Sequence, residues 1–156
     1  MDVVANNSPL VLSGLYGGRS NEGRAGEVRK YGGGGGGQRA VNRALTWLAR
    51  VQNANGSWGH KNTAARTGLA TLVFLAHGET PVSKAYGKTM QKAFDWLRRY
   101  GAGQGADSAY SHGMATYALA EAYGLTRIPM LKGPMQNSLQ RIIDGQLPCG
   151  GWDYGY

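Results

Sequence analysis

Arg43 to Trp58 reads RALTWLARVQNANGSW, and this stretch decides the fold. Val41, Ala44, Leu45, Leu48 and Val51 fall at helical spacing on one stripe, while Arg43, Thr46 and Arg50 lie off it. The spacing predicts an amphipathic helix. Gln52-Asn53-Ala54-Asn55-Gly56-Ser57 follows, a run of turn formers that no helix continues through. Trp58 then returns a large apolar group to the protein body.

The stretch comes back. Met135 to Trp152 reads MQNSLQRIIDGQLPCGGW, and Gln146 precedes Trp152 by the same spacing that separates Gln52 from Trp58. A degraded middle copy, Met90 to Tyr100 (MQKAFDWLRRY), keeps the helix and Trp96 but lacks the Gln-Gly-Trp tail. Two helix-plus-tail units of matched length point to a repeat architecture.

The rest of the chain fits around these units. Residues 1–37 read as an extended, Gly- and Arg-rich lead-in with one helical turn at Ala25–Lys30, ending in the flexible linker Gly32–Gly37. That glycine run lacks the preceding strand and the Gly-Lys-Ser/Thr ending of a P-loop. Helices are expected over Gln38–Val51, Ala65–Ala76, Lys84–Tyr100 with Ser83 as N-cap, Ser111–Tyr123, and Met135–Asp144. Pro81 separates the second from the third, Gly101 to Gly105 forms a loop, and Pro129 and Pro134 bracket a connection. Amphipathic helices alternate with apolar ones, and a helix apolar all round is buried all round. Gly68-Leu69-Ala70-Thr71-Leu72 aligns with Gly113-Met114-Ala115-Thr116-Tyr117, 45 positions on. The expected fold class is all-α, with helices in two layers as a solenoid or a closed toroid.

Composition agrees with a globular body, with 42% hydrophobic residues in a chain of 156. The formal charge of +8 permits contact with anions or a membrane surface. The basic residues are spread from Arg19 to Arg141, however, as on solvated helix faces, and no nucleic-acid motif stands among them. Cys149 is the only cysteine, which excludes an internal disulfide and favours a reducing compartment. No apolar run reaches the ~18 residues of a membrane span, and MDVVANNSPLVLSG lacks the basic start of a signal peptide. A cytoplasmic or membrane-associated location is expected.

Arg43-Ala44-Leu45-Thr46-Trp47-Leu48, then Gln52, then Gly56-Ser57-Trp58, resembles the QW motif of the squalene cyclase and prenyltransferase repeat superfamily. Gln146, Gly150 and Trp152 resemble the tail of a further copy. The resemblance covers residues 38–156. It is nearest to bacterial repeat proteins of that superfamily with unassigned activity, through Tyr110-Ser111-His112-Gly113-Met114-Ala115-Thr116 and Leu15-Tyr16-Gly17-Gly18-Arg19. It implies an α/α toroid with the amphipathic helices as an outer ring and the apolar ones as an inner ring. It also implies a structural role for Gln52, Gly56, Trp58, Gln146, Gly150 and Trp152, which tie neighbouring outer helices together. A complete toroid of this kind has more helix pairs than the two pairs and one further helix found here. Residues 38–156 are therefore expected to be the N-terminal part of a longer domain, prone to self-association through its incomplete edge.

For chemistry the sequence offers little. The Asp-x-Asp-Asp motif of the superfamily's cyclases is absent, and Asp144 and Asp153 are isolated. Cys149 lacks the spacing of the transferases' zinc ligands, so no metal and no cofactor is expected. His112 is the best polar candidate. It opens the second apolar helix, with Asp107 and Tyr110 upstream, and a helix start favours an anion. Tyr110, His112, Tyr117 and Phe74 are the candidate lining of a cavity for an isoprenoid or lipid, although packing is the weightier account of a histidine at a helix start or an aromatic on an apolar helix. Three readings stand: an isoprenoid-handling enzyme, a non-catalytic toroid that binds lipid or protein, and a structural repeat module.

Overall fold

Six α-helices carry the fold in the computed structural model, which describes residues 14–104 and 108–155. They are α1 (Asn21–Tyr31), α2 (Gly35–Arg50), α3 (Thr63–Ala76), α4 (Gly87–Arg99), α5 (Ala109–Thr126) and α6 (Pro129–Asp144). No strand occurs among the described residues, so the chain is all-helical. No helix among them is long and apolar enough to cross a membrane.

The apolar helices α3 and α5 pack face to face at the centre, and α4 and α6 pack on α5 and on each other. Small residues permit the close α3–α5 approach. A Cβ on Gly68 would lie 2.6 Å from the Met114 carbonyl oxygen, so only glycine fits there. Phe74, Leu75, Met90, Ala93, Leu97, Ala115, Ala118, Leu119 and Ala122 are buried in this core. Burial of such side chains drives the assembly at roughly 1.5–3 kcal/mol for each large one.

The lead-in differs from the extended segment expected for residues 1–37, of which residues 1–13 lie outside the described residues. A 3-10 turn at Gly14–Arg19 precedes α1. Ser20 caps α1 by accepting from Gly23 N at 2.9 Å, and Gly32, at φ 82°, closes it in the left-handed region. Tertiary contacts supply what local propensity lacks. Arg24 donates to the carbonyls of Arg19 and His77, and Arg19 pairs with Glu121 of α5. Of the glycine run, Gly32 to Gly34 connect α1 to α2, and Gly35 already opens α2.

Other boundaries moved for nameable reasons. Ser83 accepts from Thr80 N in a turn, and α4 starts later, at Gly87. The stretch Tyr100–Gln104 winds as a π-type turn, with Gly103 at φ 99°. Ser108 caps α5 two residues earlier than expected, and α5 continues to Thr126. Helix α6 runs through Pro134 from Pro129, which sits in its first turn. Pro134 removes only one ladder bond, to the carbonyl of Met130 at the exposed helix start.

Burial departs most from expectation at the two edges. On α2 only Leu45 of the apolar stripe is fully buried, while Val41, Ala44, Trp47 and Val51 are exposed. On α3, Leu69 and Val73 are exposed, and on α5, Tyr117 is. "Apolar all round" thus failed as a guide to burial, because these positions lie where no described helix covers them.

Candidate functional site

The tail after α2 is a folded device rather than a loose loop. Asn53 N donates to Ser57 O at 2.9 Å and Gly56 N to Asn53 O at 2.9 Å. Gly56, at φ 95°, makes the reversal in the left-handed region that favours glycine. Gln52 Nε2 donates both to Gly56 O and to Thr89 O, each at 3.0 Å. One amide therefore holds its own turn with one hydrogen and α4 with the other. Trp58 Nε1 donates to Leu48 O at 2.8 Å, closing a free carbonyl at the end of α2. Its backbone N–H donates to Thr67 Oγ1 at 3.1 Å, and its ring lies 6.1 Å from that of Phe74.

The same device recurs after α6, 94 positions on. Leu147 N donates to Gly151 O and Gly150 N to Leu147 O, both at 2.8 Å. Gln146 Nε2 donates to Gly150 O, and Trp152 Nε1 to Ile142 O, both at 2.7 Å. Gly150 stands at φ 87°. These four bonds match four of the first copy, residue for residue; the first copy adds side-chain bonds from Asn53 to Ser57 Oγ and Gly59 O and from Ser57 to Asn55 Oδ1, for which Leu147, Cys149 and Gly151 carry no groups.

The surroundings do not match. The first copy is covered by α4: a Cβ on Gly56 would run into the Lys92 carbonyl, and Arg99 Nη2 donates to Asn55 O at 3.3 Å. A Cβ on Gly150 meets nothing within 4 Å. Trp58 is 4% exposed and Trp152 50%. The apolar helices repeat the contrast. Gly68 is pressed against the backbone of α5, whereas Gly113, its counterpart on α5, has open space where a Cβ would go. Ala65 is buried, and its counterpart Tyr110 is exposed.

The open edge forms a groove of about 460 Å³ lined by Tyr110, Gly113, Ile142, Trp152, Asp153 and Tyr154. The opposite edge, between α2 and α3, forms a groove of about 510 Å³ whose lining includes Trp47, Val51, Trp58, His60, Arg66 and Leu69.

The candidate cavity residues lie apart. Phe74 is fully buried against Trp58 and Tyr86. Tyr110 and Tyr117 are exposed on α5. His112 is buried, with Nε2 at 3.2 Å from Ser138 Oγ and 3.5 Å from Thr116 Oγ1, and its ring 6.1 Å from that of Tyr100. Burial, and secondarily the charge of Arg141, lowers its pKa from the ordinary value. A neutral imidazole bridging α5 to α6 is a packing arrangement. Asp107 lies outside the described residues. Among the described residues no cluster of three or more His, Cys, Asp or Glu side chains is arranged for a metal. The sequence picks out both tails and aligns Gly68 with Gly113, but gives those glycines no role and does not mark Thr89 or Lys92. The 45-residue offset between the apolar helices was the available signal for the two glycines. No protein-family model matches the chain, and neither a curated protein nor a solved structure matches it.

Proposed function

We propose that this chain is a non-catalytic α/α repeat scaffold, built like part of the α/α toroid of the squalene cyclase and prenyltransferase repeat superfamily, and that its α5–α6 edge binds a helical partner. One observation carries the reading. The Gln-Gly-Trp device occurs twice with four internal bonds in common, filled by α4 in one copy and open in the other. The partner it fits is a helix pair like α4–α5: one amphipathic helix that offers a carbonyl to Gln146, and one small-residue helix that packs on Gly113. Main-chain carbonyls and backbone contact provide recognition, as they do inside the molecule. The test is calorimetric titration of the full chain with a synthetic peptide of residues 83–126. Binding that disappears in Gly113→Arg supports the reading, and no binding, or binding indifferent to that change, refutes it.

A second reading, capture of an isoprenoid or other lipid, draws on the apolar lining of the α2–α3 groove. It expects tryptophan fluorescence to respond to titration with dispersed squalene, and Val73→Asp to abolish the response.

A further inference from the structure

The internal α2–α3 to α4–α5 junction specifies what an occupant of the open edge looks like, and the chain itself carries a candidate. RALTWL at 43–48 of α2 is in register with KAFDWL at 92–97 of α4, 49 positions apart. Thr89 and Lys92, whose carbonyls meet the first device, correspond on α2 to Ala40 and Arg43, both exposed. The stripe of α4 that is largely covered, Met90, Ala93, Trp96 and Tyr100, corresponds to Val41, Ala44, Trp47 and Val51, all exposed. On the apolar helices, Ser111 and Ala118 of α5 are buried, and their counterparts Arg66 and Val73 of α3 are exposed. Among the described residues no helix follows α6 on one edge, and none covers the exposed stripe of α2 and α3 on the other.

We propose that the α2–α3 edge of a second copy of this chain seats on the α5–α6 edge, so that copies join head to tail. This rests on the reading of the α5–α6 edge as a helix-docking site. Gln146 Nε2 then donates to the Ala40 carbonyl of the second copy, Gly150 faces its Arg43 carbonyl, and Gly113 lies against its Leu69–Ala70 backbone. The side chains at this junction are larger than those inside the molecule, and both faces are apolar. Tyr110 and Tyr117 are exposed on one edge, and Trp47, Val51, Leu69 and Val73 are exposed on the other. Charge also matches. Asp153 lines the α5–α6 groove, while Arg66 lines the α2–α3 groove. Attraction of this kind sets orientation more than affinity. The interface joins two different surfaces, so it adds copies until a ring closes or a filament grows.

Mass measurement by sedimentation across a ~100-fold concentration series tests this. The wild-type chain is expected to grow past the dimer as concentration rises. Gly113→Arg blocks one edge at a site with room for a side chain, and Leu69→Glu blocks the other at an exposed site. Each variant alone is expected to be monomeric, with association weakened on the order of 100-fold by an unpaired buried charge. An equimolar mixture is expected to yield a dimer and nothing larger, since each variant keeps one good edge. A wild-type chain that stays monomeric, a single variant that associates like wild type, or a mixture that stays monomeric overturns the proposal. If Leu69→Glu associates like wild type while Gly113→Arg stays monomeric, the docking reading stands and only the α2–α3 edge as occupant is lost. If Gly113→Arg associates like wild type, both fall.

Discussion

Gly68 and Gly113 occupy corresponding places on α3 and α5, and alanine at the two is expected to act with opposite sign. Both glycines lie inside helices, where glycine costs about 1 kcal/mol relative to alanine. At Gly113 a new Cβ meets nothing within 4 Å, so Gly113→Ala gains that propensity and is expected to stabilise by about 0.5–1 kcal/mol. At Gly68 the same atom lands 2.6 Å from Met114 O, 2.8 Å from Met114 C and 3.1 Å from Ala115 N. These are backbone atoms of a packed helix and cannot rotate away, so α3 and α5 must separate. Overpacking of this kind costs about 1–3 kcal/mol, and near its upper end it leaves a net loss of about 1–2 kcal/mol after the propensity gain. For a chain of this size 1 kcal/mol moves the midpoint by about 2–4 °C, so the two variants should differ by roughly 4–10 °C. Thermal unfolding followed by circular dichroism, at dilution sufficient to keep the chain monomeric, reads the difference. Equal shifts, or a larger loss at Gly113, would refute the assignment of one packed and one open edge.

The tail residues give a parallel contrast. Trp58→Ala is expected to cost about 3–5 kcal/mol as a core truncation, and Trp152→Ala about 1 kcal/mol because half of it is already in water; urea midpoints with unchanged slopes would check this. Gln52→Ala strips a donor from both Gly56 O and Thr89 O and should cost about 1–2 kcal/mol. Gln146→Ala removes one exposed bond and should stay within about 0.5 kcal/mol, measured in the same way. His112 supplies a pH dependence. Burial first, and Arg141 second, hold its pKa below 6.5 in the folded chain, so the unfolded chain takes up the proton first as pH falls. Its contribution is therefore complete above about pH 6.5 and declines below it, by up to about 1.4 kcal/mol per pH unit. Urea midpoints between about pH 7 and pH 5 should show a flatter slope in His112→Gln than in wild type, and an unchanged slope would assign the titration elsewhere.

What the sequence made legible was whatever local spacing fixes. The interval from Gln52 to Trp58 is repeated at Gln146 and Trp152, and equal intervals around a glycine at φ 95° and φ 87° close into equal bonds. The six-residue geometry needs no tertiary partner, so it can be read from the letters. Helix α1 was not legible, because NEGRAGEVRKY has no apolar stripe to mark it. The Ser20 cap is local, but the tie that seats the helix, Arg24 on the His77 carbonyl, spans 53 residues. Pro134 signals a helix end by its own chemistry, yet it lies inside α6, in the second turn after Pro129, where it removes a single ladder bond. Whether His112 packs at the helix start or faces a ligand was not legible either, since the sequence does not reveal that Ser138 lies opposite.

Exposure of the edges was illegible for a deeper reason. Val41 and Met90 look alike as apolar positions at one place in matching helices, yet one is exposed and the other buried. The difference lies in no property of either residue. It lies in whether a preceding unit stands beside it. In an architecture of stacked units much of the stability resides in the interfaces between neighbours rather than within each unit. A device such as Gln52 with Gly56 therefore acts as an internal brace only where a neighbour such as α4 is present. Gln146, Gly150 and Gly113 hold places that correspond to those of Gln52, Gly56 and Gly68, and what differs around them is that neighbour.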